Sequence, residues 1–176
     1  MLLIWGKGFK INNPCYLMPR WKLPPRIKYL EGLGAVADGR VSLIDEKHAE
    51  VQSSEGDRVY HVFIDTENKI ISSDDNGSMY KGYLGYPAIS VMMVKGILPF
   101  GERERMVADG LKGIDWKMLN QKYKNYYITE KIVRRIAEKR GVSGEMIDEV
   151  VRNLHDRLKE LLKVYSRPSE PNRDRP

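Results

Sequence analysis

The chain has one cysteine, Cys15, in 176 residues, only three histidines, and no apolar run near the roughly 18 residues that a membrane-spanning helix needs. A lone cysteine excludes an internal disulfide and a cysteine-rich metal site, and such scarcity points to the reducing cytosol, so a cytoplasmic location is expected. His48, His61 and His155 are scattered and form no H-x-x-x-H or H-E-x-x-H pair. No metal is therefore expected, and no His-activated serine, since an unactivated hydroxyl is a weak nucleophile. His61 reads as one face of a strand, and His155 falls on the expected wet face of the last helix. No G-x-x-x-x-G-K-[ST] loop occurs, which excludes a P-loop enzyme. GLGAVA (32–37) matches the letters of the dinucleotide fingerprint. That site needs a strand before the glycines and a full helix after them, whereas here a helix-like segment precedes and Gly39 stops the run. The opening MLLIW is interrupted by Lys7, Lys10 and Asn12-Asn13-Pro14 before a secretory h-region is complete. No cofactor is implied and no catalytic constellation stands out, so the chain is expected not to be an enzyme.

What is present is charge, unevenly placed. Thirty Lys+Arg against 24 Asp+Glu give a net +6, and 41% hydrophobic with 31% charged residues fits a globular domain with a real core. Residues 1–40 carry a balance of +5, residues 41–100 a balance of −4, and residues 101–176 a balance of +5. An acidic middle lies between two basic flanks.

The pattern of turn formers and apolar spacing predicts an α+β fold: a small antiparallel β-meander backed by a short apolar helix, with an N-terminal helix and a helical C-terminal half. Pro24-Pro25 opens the first helix, in which Ile27, Leu30, Leu33, Gly34 and Ala37 fall at helical spacing. Four β-candidates follow, VSLID (41–45), AEVQS (49–53), RVYHVFID (58–65) and IISSD (70–74), separated by turn formers. Asp74-Asp75-Asn76-Gly77 lacks the alternating ligands and terminal Glu of a calcium loop and reads as a solvated hairpin turn. Pro87 starts AISVMMVKG, which is apolar enough to require burial. Asp115, Thr129 and Ser143 are the expected caps of three further helices, the last running through Tyr165. In that helix Ile147, Val151, Leu154, Leu158, Leu161 and Tyr165 form a seam that packs on its own domain or pairs with a second copy. The expected layout is an arm over 1–23, disordered or, for 1–17, preceding a true start at Met18, then one domain over 24–165 and a disordered tail over 166–176. Within the domain, 24–100 is the αββββα part and 101–165 the helical part.

The stretch from Gly34 to Gly96 carries Ala49, Val51, Ser53 and Ser54, then Tyr60 and Val62, then Gly85-Tyr86-Pro87 before an apolar helix. In this order it resembles a SWIM-type zinc finger over about a third of the chain. The family's ligand pairs fall at Ile71–Asp74 and near Ala88 and Ser90, where no zinc ligand stands. The resemblance therefore implies a ββα-type module without zinc, held by Val91, Met92, Met93 and Val94, and a role in binding DNA or proteins instead of catalysis. The whole chain is also similar in look to uncharacterised archaeal proteins, and its charge-rich, cysteine-poor composition suits a thermophile.

A second partner signal is QKYKNYY (121–127) with the basic helix after it. Lys122, Lys124, Lys131, Arg134, Arg135 and Lys139 are candidates for phosphate contacts. Tyr123, Tyr126 and Tyr127 are candidates for stacking on unpaired bases. Lys131, Arg134 and Arg135 are expected on one face, opposite Ile132, Val133, Ile136 and Ala137. Arg20, Lys22, Arg26 and Lys28 around Trp21 form a second basic cluster. The expected function is nucleic-acid or ribonucleoprotein binding without membrane association. The alternatives are a protein-interaction module dimerising through the last helix, or an enzyme in which Asp38, Asp65, Asp74 and Asp75 converge as acid and base.

Overall fold

Helix α1 (Ile27–Ala37) sits at the centre of the molecule, and its sequence explains how. Ile27, Tyr29, Leu30, Glu31, Leu33 and Ala35 are all buried, so the helix is covered on nearly every side. Gly32 and Gly34 make that possible: a Cβ on Gly34 would lie 2.8 Å from Trp116 Nε1, and one on Gly32 would lie 3.1 Å from Ile89 Cγ2. The glycines of GLGAVA therefore serve close helix packing. The computed structural model describes residues 20–168. Cys15, Met18 and most of the expected arm and tail lie outside the described residues.

Strands β1 (Val41–Leu43), β2 (His48–Gln52), β3 (Val59–Asp65) and β4 (Ile70–Ser73) form one antiparallel meander in the order β1-β2-β3-β4. Its register pairs Val41 with Val51, Ala49 with Val62 and Ile64 with Ile71. Period-two alternation turns Ala49, Val51, Val62, Ile64 and Ile71 inward, all buried. They face α2 (Tyr86–Val94), where Ala88, Ile89, Val91, Met92 and Met93 are also buried, so a helix apolar all round lies between the sheet and α1. The architecture is α+β, a β-meander backed by a short apolar helix.

The chain between β4 and α2 differs from a solvated hairpin turn. A single π-helical turn (Gly77–Lys81) follows β4, and Asp75 is buried before it. Its carboxylate accepts from Ser73 Oγ at 2.7 Å, Ser78 Oγ at 2.7 Å, Gly77 N at 2.9 Å and Ser78 N at 3.1 Å. A buried charge so fully hydrogen-bonded organises the turn from inside. Gly85 is required beside it, since a Cβ there would stand 2.0 Å from Asp75 Oδ1.

The helical half comprises α3 (Glu102–Gly110), α4 (Trp116–Tyr123), α5 (Tyr126–Lys139) and α6 (Gly144–Leu161). Ser143 caps α6 as expected, accepting from Met146 N at 3.2 Å. The cap of α5 is Asn125 and not Thr129: its Oδ1 accepts from Tyr127 N at 3.0 Å and Ile128 N at 3.2 Å. Lys124, at φ 49°, ends α4 in the left-handed region just before it, so Tyr126 and Tyr127 open a helix that the Thr129 cap would have begun later. On α6, Ile147, Val150, Val151, Leu154 and Leu158 are buried, so the seam packs on the chain's own core. That helix ends at Leu161, short of Tyr165. Beyond it Ser166 N donates to Lys69 O at 2.9 Å and Ser166 O accepts from Ile71 N at 3.1 Å, while Arg20 bridges to Ser166. Trp21 is buried with the Arg167 guanidinium 4.9 Å from its ring. Residues 20–23 and 166–168 thus belong to the folded body, which extends the expected 24–165 unit at both ends.

Candidate functional site

The α4–α5 junction displays the predicted binding residues unequally. Lys122 and Lys124 are exposed, and Lys122 Nζ lies 5.3 Å from the ring of half-buried Tyr123. On α5 the i, i+4 spacing puts Tyr127, Lys131, Arg135 and Lys139 on one exposed stripe, opposite buried Thr129, Val133 and Ala137. Tyr127 is 66% exposed, with the Lys131 ammonium 4.4 Å from its centroid. Arg134 does not share that face. It forms a fork on Asp148, at 2.6 Å and 3.0 Å, and donates to Gly144 O at 3.3 Å, tying α5 to the first turn of α6. Hydrogen bonding to Asp148 holds Arg134 above its ordinary pKa, and the same bond holds Asp148 below the usual carboxylate range.

Half of the second basic cluster is tied into the fold, while Arg20 and Lys22 stay exposed. Arg26 pairs with Asp148 at 2.8 Å and Glu130 at 3.4 Å, and Lys28 is turned into the molecule. There Lys28 Nζ donates to Glu31 Oε2 at 2.7 Å, and Asn120 Nδ2 donates to Glu31 Oε1 at 2.7 Å. Glu31 is 2% exposed. Burial alone lowers the Lys28 pKa, but the charge and hydrogen bond of Glu31 outweigh it and hold the ammonium above the ordinary lysine range.

This trio forms part of a cleft of about 370 Å³ bounded by α1, the π-helical turn, the start of α2 and α4. Tyr60 and Tyr86 meet edge to face in it, 5.8 Å apart at 81°, with Tyr83, Trp116 and Tyr126 completing an aromatic lining. Burial pushes the Tyr83 hydroxyl up to about 12, helped by hydrogen bonding with Tyr126, and burial likewise raises Tyr60 and Tyr86. The phenols are neutral donors at physiological pH. Lys117, on the rim, is bound to Glu55 at 2.7 Å and to Asp57. A shallower extension is lined by Lys81, Asn120, Lys124 and Tyr126. Lys81 and Lys124 have no ion-pair partner among the described residues.

Of the predicted binding residues, Tyr126 lines this cleft and Lys124 its shallow extension. The other lining residues are spread over α1, the turn after β2, β3, the segment from Asp75 to Tyr86, and α4, too far apart in sequence for spacing to reveal. One signal does mark it: Glu31 is a charged residue on a helix whose neighbours are almost all apolar or glycine. The four aspartates go to separate duties. Asp38 accepts from Gly113 N at 2.7 Å, and Asp74 pairs with His61 Nδ1 at 2.9 Å on the outer sheet face, while Asp75 faces the cleft. Asp65 is held well below the carboxylate range by the Asn68 backbone N–H and the Lys47 ammonium. His48 is bonded to Asp45 at 2.8 Å, and His155, half-buried instead of on a wet face, meets the Tyr29 hydroxyl at 3.2 Å. No group of three or more His, Cys, Asp or Glu side chains able to hold a metal ion occurs among the described residues. No helix among them is long and apolar enough to cross a membrane.

Meander, backing helix and aromatic cleft together define an α+β domain with a polar-floored pocket at the junction of its two halves. The chain belongs to the family described as "Uncharacterised conserved protein UCP014422", which matches residues 21–164, nearly all of the folded body. Neither the curated proteins nor the solved structures include a match to this chain.

Proposed function

We propose that this is an intracellular, non-enzymatic protein that binds nucleic acid, alone or in a ribonucleoprotein, through the α4–α5 junction and the outer stripe of α5. The observation that carries the reading is the stripe itself. Lys131, Arg135 and Lys139 are exposed, lie four residues apart, and have no carboxylate partner among the described residues, with exposed Tyr127 in line. Unpaired cations on one rigid face release condensed counterions when they meet phosphates. A tyrosine in line with them offers a ring to an unstacked base. The order of meander and apolar helix, with its likeness to a SWIM-type module, adds support from the other half.

The test is fluorescence anisotropy of labelled single-stranded RNA, single-stranded DNA and duplex DNA at low and near-physiological salt. Saturable binding that survives physiological salt and favours one polymer is expected. The double substitution Lys131→Gln/Arg135→Gln should then flatten the log–log salt dependence by about 1.4 for a single strand. Binding that is absent, or equal for all three polymers and lost with salt, refutes the proposal.

A further inference from the structure

We infer that the cleft between α1, the π-helical turn and α4 is a nucleotide pocket, taking one unstacked base with its phosphate, either as a free mononucleotide or as one residue of a strand. In its strand-borne form it rests on the reading above. The cleft is about 370 Å³, at the small end of the roughly 300–1,000 Å³ typical of small-molecule sites, so it admits one ring system with its sugar and not a longer stretch. Its walls are aromatic, with Lys28 Nζ 4.7 Å over the Tyr126 ring and the Arg58 guanidinium 4.7 Å over the Tyr60 ring, so each of these two rings has one face left to offer. Tyr60 and Tyr86 stand nearly perpendicular, 5.8 Å apart, and Tyr126 lines the same space from the first residue of α5.

The floor sets donors beside acceptors, as the edge of a base does. The Lys28 ammonium has three protons, gives one to Glu31 and rests another side of its charge on the Tyr126 ring 4.7 Å away. The Glu31 carboxylate has about four lone-pair sites, of which Lys28 and Asn120 occupy two. An adjacent donor and acceptor thus keep unused capacity in a site where a purely apolar ligand would leave them desolvated. The mouth is cationic: Lys81 and Lys124 flank Tyr126 without ion-pair partners among the described residues, placed for a phosphate that trails a base held inside. Of the acidic groups nearby, Glu31 is paired with the Lys28 ammonium, and Asp75 turns its carboxylate to four donors around its own turn.

Trp116 lines the cleft and reports on its occupancy. Each of the four ribonucleoside monophosphates is titrated against the full chain and followed by tryptophan fluorescence and calorimetry, with labelled single strands in parallel. At least one mononucleotide should bind saturably at one site. Its affinity should fall about tenfold in Tyr60→Leu, which removes an aromatic wall, and severalfold in the surface variant Lys81→Gln, which lies outside the α4–α5 junction. If no mononucleotide binds, and strands bind wild type and both cleft variants equally, the pocket assignment falls while the α5 reading stands. If a mononucleotide binds but no strand does, the α5 reading falls and the cleft stands as a site for free nucleotide.

Discussion

The floor of the cleft and the outer stripe of α5 are built from the same kind of residue and behave in opposite ways. In the cleft Lys28 is taken out of water and bound to a buried carboxylate at 2.7 Å, so its charge is compensated on the spot. On α5, Lys131, Arg135 and Lys139 keep their hydration and their field, which reaches about one Debye length, roughly 8 Å at physiological salt. Arg134 and Arg135 repeat the contrast between adjacent residues, one a strut to α6 and the other a free cation. Burial and partnership, more than residue type, decide whether a cation holds the fold or meets a ligand.

The comparison breaks most visibly at Glu31. Glu31→Gln leaves the Lys28 ammonium buried without its counter-charge, and removing one partner of such a pair costs about 3 kcal/mol. Urea denaturation should show a large drop in midpoint, and an unchanged midpoint would mean that Lys28 reaches solvent. A smaller effect separates the neighbouring arginines. Arg134→Gln should cost about 1 kcal/mol, discounted because Asp148 is partly exposed, and should barely alter nucleic-acid affinity. Arg135→Gln should do the reverse, with a stability change under about 0.5 kcal/mol. Equal losses of stability in the two variants would dissolve the distinction.

The smallest effect sharpens the contrast on the other side of the sheet. The hydrogen bond and charge of Asp74 hold His61 above its ordinary pKa. A raised value in the folded state means that the stabilisation is complete below the unfolded pKa, about 6.5, and is lost as pH rises through the raised one. His61→Asn should therefore narrow the difference in Tm between about pH 6 and about pH 8. Identical differences in both proteins would show that the pair contributes nothing.

Much of the fold was legible in the sequence because it rests on local signals. Period-two alternation marked β2 and β3, turn formers bounded the strands, and an apolar run too short for a membrane had to be the buried α2. Misreadings came where two local signals competed. Asn125 and Thr129 are both good cap residues, and the left-handed turn at Lys124 decided for Asn125. Asp74-Asp75-Asn76-Gly77 has the composition of a wet turn, yet the two serines that bind Asp75 draw it inside. Of the candidate binding residues, the shared face of Lys131 and Arg135 was readable from spacing. Arg134 was not, because its partner Asp148 lies on the next helix, fourteen residues on. The cleft was invisible for the same reason on a larger scale: Glu31 and Asn120 meet across 89 residues.

The strand of chain that follows α6 has a protective consequence. A sheet with an open flank presents a row of unpaired amides and carbonyls on which a strand of another molecule can grow. Here one flank, β1, is only three residues long, and the other, β4, is met by Ser166, itself bridged to Arg20. The segments just before α1 and just after α6 thus close over the last strand, and the four-stranded sheet offers no long template for aggregation.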